Sequence, residues 1–96
     1  MKSTKSGWPK SIAEAIQILD RLLSENDKKA IRVLPLTDLH LLHAGLGALI
    51  RNEFGLCAGN DKLMTCTLEI DADLASMTIV REFWDHLRAA PVSLLH

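Results

Sequence analysis

Hydrophobic and polar positions alternate along this chain with the period of a helix, and residues that start or stop helices divide it into five segments. After Ser11, Ile12, Ala15, Ile16, Ile18, Leu19, Leu22 and Leu23 fall on one face at ~100° per residue, with Glu14, Gln17, Asp20 and Arg21 opposite. Ser11 and Glu14 have the capping-box spacing, in which each side chain satisfies the other's free backbone donor. Ser24 reads as a second cap, with Glu25 and Asp27 early in the turn and Lys28, Lys29 and Arg32 late, the order a helix dipole favours. That helix is short, about Glu25 to Leu34, because Pro35 cannot continue it.

Thr37 is the next cap, with Asp38 just inside, and a third helix runs to about Phe54, where Gly55 supplies a left-handed stop. Asn60 caps a fourth, short helix running from Asp61 to Cys66 or Leu68. Asp71 or Asp73 caps the last one. There Met77, Ile79, Val80, Phe83, Trp84 and Leu87 share a face, Arg81, Glu82, Asp85 and Arg88 point away, and Pro91 marks the end. No strand-like alternation exceeds four residues, so the expectation is all-α: a compact bundle of about five helices around a central third helix, with no sheet.

The third helix is placed at the centre because of its apolar circumference. Leu39, Leu42, Leu46, Ile50 and Phe54 form one stripe, while Leu41, Ala48 and Leu49 lie elsewhere around the axis. Such a helix is either central in the bundle or shared with a partner chain. Trp8, just before the first helix, is placed to pin the preceding tail to the core in the manner of a hydrophobic staple, and the apolar ending PVSLLH is expected to dock.

Residues 1–7 carry no apolar periodicity and read as a mobile tail, leaving 8–96 as a single helical domain. Apolar residues make up 48% of the chain and net charge is −1, which argues against disorder and against a global field for nucleic acid or anionic membranes. Lys2, Lys5 and Lys10 are the only basic cluster toward the N-terminus, and they read as a solvated tail. No apolar run reaches the ~18 residues of a membrane span, and the N-terminus lacks the apolar core of a secretory signal. Two cysteines without C-x-x-C spacing fit a soluble, cytoplasmic protein.

Chemistry-bearing residues concentrate around the third helix. His40 and His43, three apart, could reach one metal ion, and Cys57 and Cys66 could complete a Cys₂His₂ set. The cysteines are nine apart with no tight turn between them, so no metal and no cofactor is expected. The plainer reading of His43 is a histidine at the edge of the apolar stripe, hydrogen-bonded within the fold. Gly45 and Gly47 thin one helix face and read as close-packing glycines. Arg51, near the helix C-terminus, would pair with Glu53, Asp71 or Asp73. No nucleophile stands in a recognisable motif with a base, and Cys57 with His43 is an unspecific pairing, so the chain leans away from being an enzyme.

Together these residues carry a resemblance. The stretch LLHAGLGALIRNEFGLCAGN resembles the core motif of a family of small, functionally uncharacterised bacterial domains: a Trp-Pro start, His-x-Gly-Leu-Gly, Ile-Arg-Asn, Phe-Gly-Leu and Gly-Asn. A later Asp, then Ala-Ser with a bulky apolar residue, then Trp-x-x-Leu, is matched by Asp73, Ala75, Ser76, Met77 and Trp84 to Leu87. The resemblance implies motif residues at His43, Gly45, Gly47, Arg51, Asn52, Gly55, Gly59, Asn60, Asp73 and Ser76. It implies Trp where this chain has Cys57, which argues against a cysteine ligand or nucleophile, and it implies no activity.

Two functional expectations follow. The first is a non-enzymatic helical interaction module, partnered by itself as a homodimer or by another protein, with the apolar third helix and C-terminal tail at the interface. The second is a small-molecule or anion-binding domain, with an enzymatic role left open, in which His43, Arg51, Asn52 and Asn60 converge at the end of the third helix.

Overall fold

The computed structural model describes residues 8–94, with side chains described through residue 89. The mobile tail expected over 1–7 lies outside the described residues, as do the side chains of the C-terminal segment expected to dock. Five α-helices follow in order: α1 (Ile12–Leu22), α2 (Glu25–Arg32), α3 (Ala48–Glu53), α4 (Asp61–Thr67) and α5 (Ala72–Leu94). A 3₁₀ segment (Leu36–Leu42) and one π turn (His43–Gly47) lead directly into α3, and these three pieces form the third helical segment. There is no strand among the described residues, so the all-α expectation holds.

Local capping chemistry explains most boundaries. Ser11 accepts from the Glu14 N–H at 3.2 Å, but the Glu14 carboxylate reaches back to the N–H of Lys10 at 2.9 Å, one residue before the usual capping-box partner. Ser24 caps α2 through the Asp27 N–H, Asn60 caps α4 through Leu63, and Asp71 rather than Asp73 caps α5 through Leu74. Lys28 joins the first two helices: its ammonium donates to the Asp20 carbonyl at 2.9 Å, in the last turn of α1, and pairs with Asp20 and Glu25 at 3.1 Å each. Hydrogen bonds to Glu25 and then Asp20 hold the Lys28 pKa above the ordinary 10.5. These carboxylates stabilise the charged form.

The third segment departs from one regular helix. Its start is Pro35, with no side-chain cap, so Thr37 does not cap it. Instead the Thr37 carbonyl lies 2.9 Å from Nδ1 of His40 inside the tight 3₁₀ turn. Overwinding in the 3₁₀ piece is followed by underwinding in the π turn, opposite departures from 3.6 residues per turn. The net register is kept: Leu39, Leu46, Ile50 and Phe54 are all buried, and Leu42 packs against the core. Gly55, at φ 69°, ends α3 in the left-handed conformation, and the Leu56 N–H returns to the Arg51 carbonyl at 3.2 Å.

The expectation of a central third helix needs correction, because α5 is the element that packs against all the others. Ala75, Ser76, Ile79, Val80 and Phe83 are fully buried along it, and Trp84 and Leu87 nearly so. At 23 residues α5 spans about 35 Å, long enough to offer one stripe to every shorter helix. It also continues through Pro91, where the sequence predicted a stop. A proline removes one i to i−4 hydrogen bond, and here the loss falls within the last turn of the described helix.

Candidate functional site

The end of the third segment brings together a cluster of four polar side chains around Gly47. Arg51 Nε lies 3.4 Å from Asp73 Oδ1, and its Nη1 donates to Ser76 Oγ at 3.2 Å. His43 Nε2 lies 3.8 Å from the same Asp73 oxygen, beyond hydrogen-bond distance. Ser76 in turn donates to the Asp73 carbonyl at 2.8 Å. Each position has a local cause. Asp73 sits in the first turn of α5, where the dipole favours an anion, and the π turn aims His43 at it. A Cβ at Gly47 would stand 3.3 Å from Arg51 Nη1 and 3.5 Å from Ser76 Oγ, so the glycine leaves room for the guanidinium to lie across the helix.

Chemically this is a fastening between the third segment and α5. The Ser76 hydroxyl is fully buried and uses its proton on a backbone carbonyl, so it is no nucleophile activated by His43. The Arg51 charge is already neutralised by Asp73, and an incoming anion would have to displace that carboxylate.

The four residues expected to converge on a ligand do not share one cleft. His43 and Arg51 meet at Asp73. Asn52 is exposed on α3. Asn60 is buried and fully used inside the fold: its Nδ2 donates to the Phe54 carbonyl at 2.7 Å and the Pro9 carbonyl at 2.9 Å, while Oδ1 takes the Leu63 N–H at 3.3 Å. Of the two close-packing glycines, Gly47 fits the description. Gly45 does not, because an added Cβ there would meet nothing within 4 Å. Trp8 does pin the chain start to the core, and its indole lies directly on Gly55. Cys57 and Cys66 are both exposed and unbridged.

Gly45 instead borders an apolar groove of about 340 Å³ between α2 and the third segment. Leu23, Ala30 and Ile31 line one side, and Leu42, Leu46 and Leu49 the other. Among its described lining residues Asp27 alone is charged. Sequence reading missed this groove. Its signal was the pairing of Ala30 and Ile31 with the extra apolar positions of the third segment, but which surfaces face each other is set by the Pro35 turn.

Residues 8–87 match the family described as a domain of unknown function, DUF6794. The chain belongs to that family. The match begins at Trp8 and ends at Leu87, so it takes in the Trp8–Gly55 contact, the Asn60 hub, the Asp73 cluster and the buried stripe of α5. Comparison of this DUF6794 chain with curated proteins and with solved structures finds no match. No helix among the described residues is long and apolar enough to cross a membrane.

Proposed function

We propose that this DUF6794 domain is a non-enzymatic interaction module that associates with copies of itself through the groove between α2 and the third segment. The observation that carries the reading is the groove's lining: half-buried Leu23, Leu42 and Leu49 with exposed Ala30 and Gly45 stand over a floor of buried Ile31 and Leu46. Leu22, Val33, Leu36 and Leu41, each about half exposed or more, lie next in sequence to the groove's two walls or to the turn joining them. An exposed apolar surface of this kind marks an interface more often than idle surface. A net charge of −1 puts no electrostatic barrier between identical copies.

Sedimentation velocity from micromolar to millimolar concentration tests the proposal. The expected result is a mass that rises with concentration, and a Gly45→Glu chain that stays monomeric. Nothing lies within 4 Å of the Gly45 Cβ position, so a side chain there meets no clash at its base, the added charge stands at the groove's border, and an unchanged circular dichroism spectrum checks that the variant folds. A wild-type chain that is monomeric throughout, or a Gly45→Glu chain that associates equally well, overturns it. The alternative, a small-molecule or anion site at the end of the third segment, ranks below because Arg51 is paired and Asn60 is enclosed.

A further inference from the structure

Two hydrogen bonds from α5 hold the chain where α2 ends. Trp84 Nε1 donates to the Leu34 carbonyl at 2.9 Å, and Arg88 Nη1 donates to the Arg32 carbonyl at 3.1 Å. Between these carbonyls stands Val33, 68% exposed, while Arg32 and Leu34 on either side are half-buried. Leu36, just beyond, is 48% exposed. The Trp84 indole that anchors this turn also carries two guanidinium groups, Arg88 at 4.7 Å and Arg81 at 5.8 Å from the ring centroid. Stacking fixes a guanidinium without using its N–H groups. Arg88 spends a single donor on the Arg32 carbonyl, and its other donors have no acceptor among the described residues.

Charge around Val33 is unequal. Lys29 lies one helical turn before it, its carbonyl bonded by the Val33 N–H at 3.2 Å, and neither Lys29 nor Arg32 pairs with an acid among the described residues. The acids in the neighbourhood are committed or set aside. Asp85 meets Arg81 at 3.4 Å, and Glu25, one turn before Lys29, meets Lys28 at 3.1 Å. At about 100° per residue, Glu82 lies about 160° from Trp84 around α5, and Asp27 about 140° from Arg32 around α2, on the side that lines the groove. Asp38 is half-buried in the 3₁₀ segment, and residues 90–96 contain no acidic side chain. Lys29, Arg32 and Arg88 thus form a local excess of positive charge on a chain of net charge −1. We propose that this face receives an acidic segment of a partner protein, whose carboxylates meet these three cations while an aliphatic side chain between them covers Val33. A guanidinium already fixed on an indole binds a carboxylate with little further ordering cost. Exposed Val33 and Leu36 favour a peptide over nucleic acid, whose phosphate and sugar backbone brings no aliphatic side chain to cover them. The face is separate from the groove, whose α2 wall is Asp27, Ala30 and Ile31, so it stands whether or not copies of the chain associate.

Fluorescence anisotropy of a labelled, glutamate-rich synthetic peptide containing leucine, titrated with the full chain, tests the proposal. The expected result is binding that weakens as salt rises. Lys29→Gln/Arg32→Gln is expected to weaken it about tenfold or more, and Val33→Ser severalfold with the salt dependence kept. Neither variant removes a side-chain hydrogen bond or ion pair among the described residues, and unchanged circular dichroism checks the fold. Lys62→Gln, which alters an exposed lysine on α4, is expected to bind as wild type does. A peptide that fails to bind at millimolar chain, a Lys62→Gln effect equal to that of Lys29→Gln/Arg32→Gln, or a Val33→Ser chain that binds like wild type overturns the proposal. Tighter binding of a single-stranded oligonucleotide of equal charge overturns it in favour of nucleic acid. Loss of self-association in the Lys29→Gln/Arg32→Gln chain overturns it in favour of a second copy as the occupant.

Discussion

Asn60 gives the sharpest test of how the fold is held, because one side chain of 6% exposure serves three distant parts of the chain. It caps α4 and satisfies the carbonyls of Phe54, at the end of α3, and of Pro9, 51 positions away. Asn60→Asp preserves shape and the cap oxygen but removes both donors and turns a carboxylate toward two carbonyls. Each buried carbonyl left unsatisfied costs roughly 1–3 kcal/mol. The expected loss near pH 7 is therefore about 4 kcal/mol, or about 16–32 °C in melting temperature for a domain of this size. Asn60→Ala leaves the same two carbonyls unsatisfied and also loses the cap, worth about 1 kcal/mol, so about 5 kcal/mol is expected, with no dependence on pH from the substituted side chain. The introduced Asp adds a pH signature. Burial against carbonyls disfavours its anion and raises its folded pKa above the unfolded value of about 3.9. The variant's deficit is thus smallest below that value, where a protonated carboxyl can donate, and grows as pH rises through the folded pKa. Urea melts followed by tryptophan fluorescence at about pH 4 and about pH 7 measure both effects. A deficit below about 1 kcal/mol near neutrality, or one equal at the two pH values, would refute the reasoning.

The glycines separate by environment. Gly45→Ala, with open space and no left-handed backbone, should stabilise by about 0.4–1 kcal/mol, whereas Gly55→Ala should cost about 2–5 kcal/mol, since its φ is 69° and a Cβ would collide with the Trp8 indole. Urea midpoints distinguish them, and equal effects would contradict the assignment. Asp73→Ala leaves the largely buried Arg51 guanidinium with only Ser76 and should destabilise by about 1–2 kcal/mol, while Asp73→Ala/Arg51→Met recovers part of that loss in thermal melts. For Lys28, whose pKa is raised, the stabilising contribution is complete below the unfolded lysine value of about 10.4 and disappears as pH rises through the folded one. Lys28→Met should therefore melt below wild type at neutral pH, with the gap narrowing in strong alkali.

Interactions spanning three or four residues were legible in the sequence. The caps of Ser11, Ser24 and Asn60, the stop at Gly55, and the buried stripes of α1 and α5 follow from helical spacing, because neighbours at those separations meet in any helix. The pairing of Arg51 with Asp73 was one of three options that charge allowed, and tertiary packing chose among them. The 3₁₀ and π pieces of the third segment were not legible. Gly45 and Gly47 permit a departure from regular helix, but helical periodicity does not specify where the turns tighten and loosen.

What the sequence determined alone was therefore the number of helical segments, the ends set by the caps of Ser11, Ser24 and Asn60 and by Gly55, and the buried faces of α1 and α5, since these depend on local hydrogen bonds and periodicity. Which helix lies at the centre, which carbonyls Asn60 satisfies, and which apolar surfaces stay open were decided by tertiary structure. The physical reason is separation along the chain. The Asn60–Pro9, Trp84–Leu34 and Arg51–Ser76 contacts join residues 51, 50 and 25 positions apart, and nothing in helical periodicity specifies which distant groups will meet.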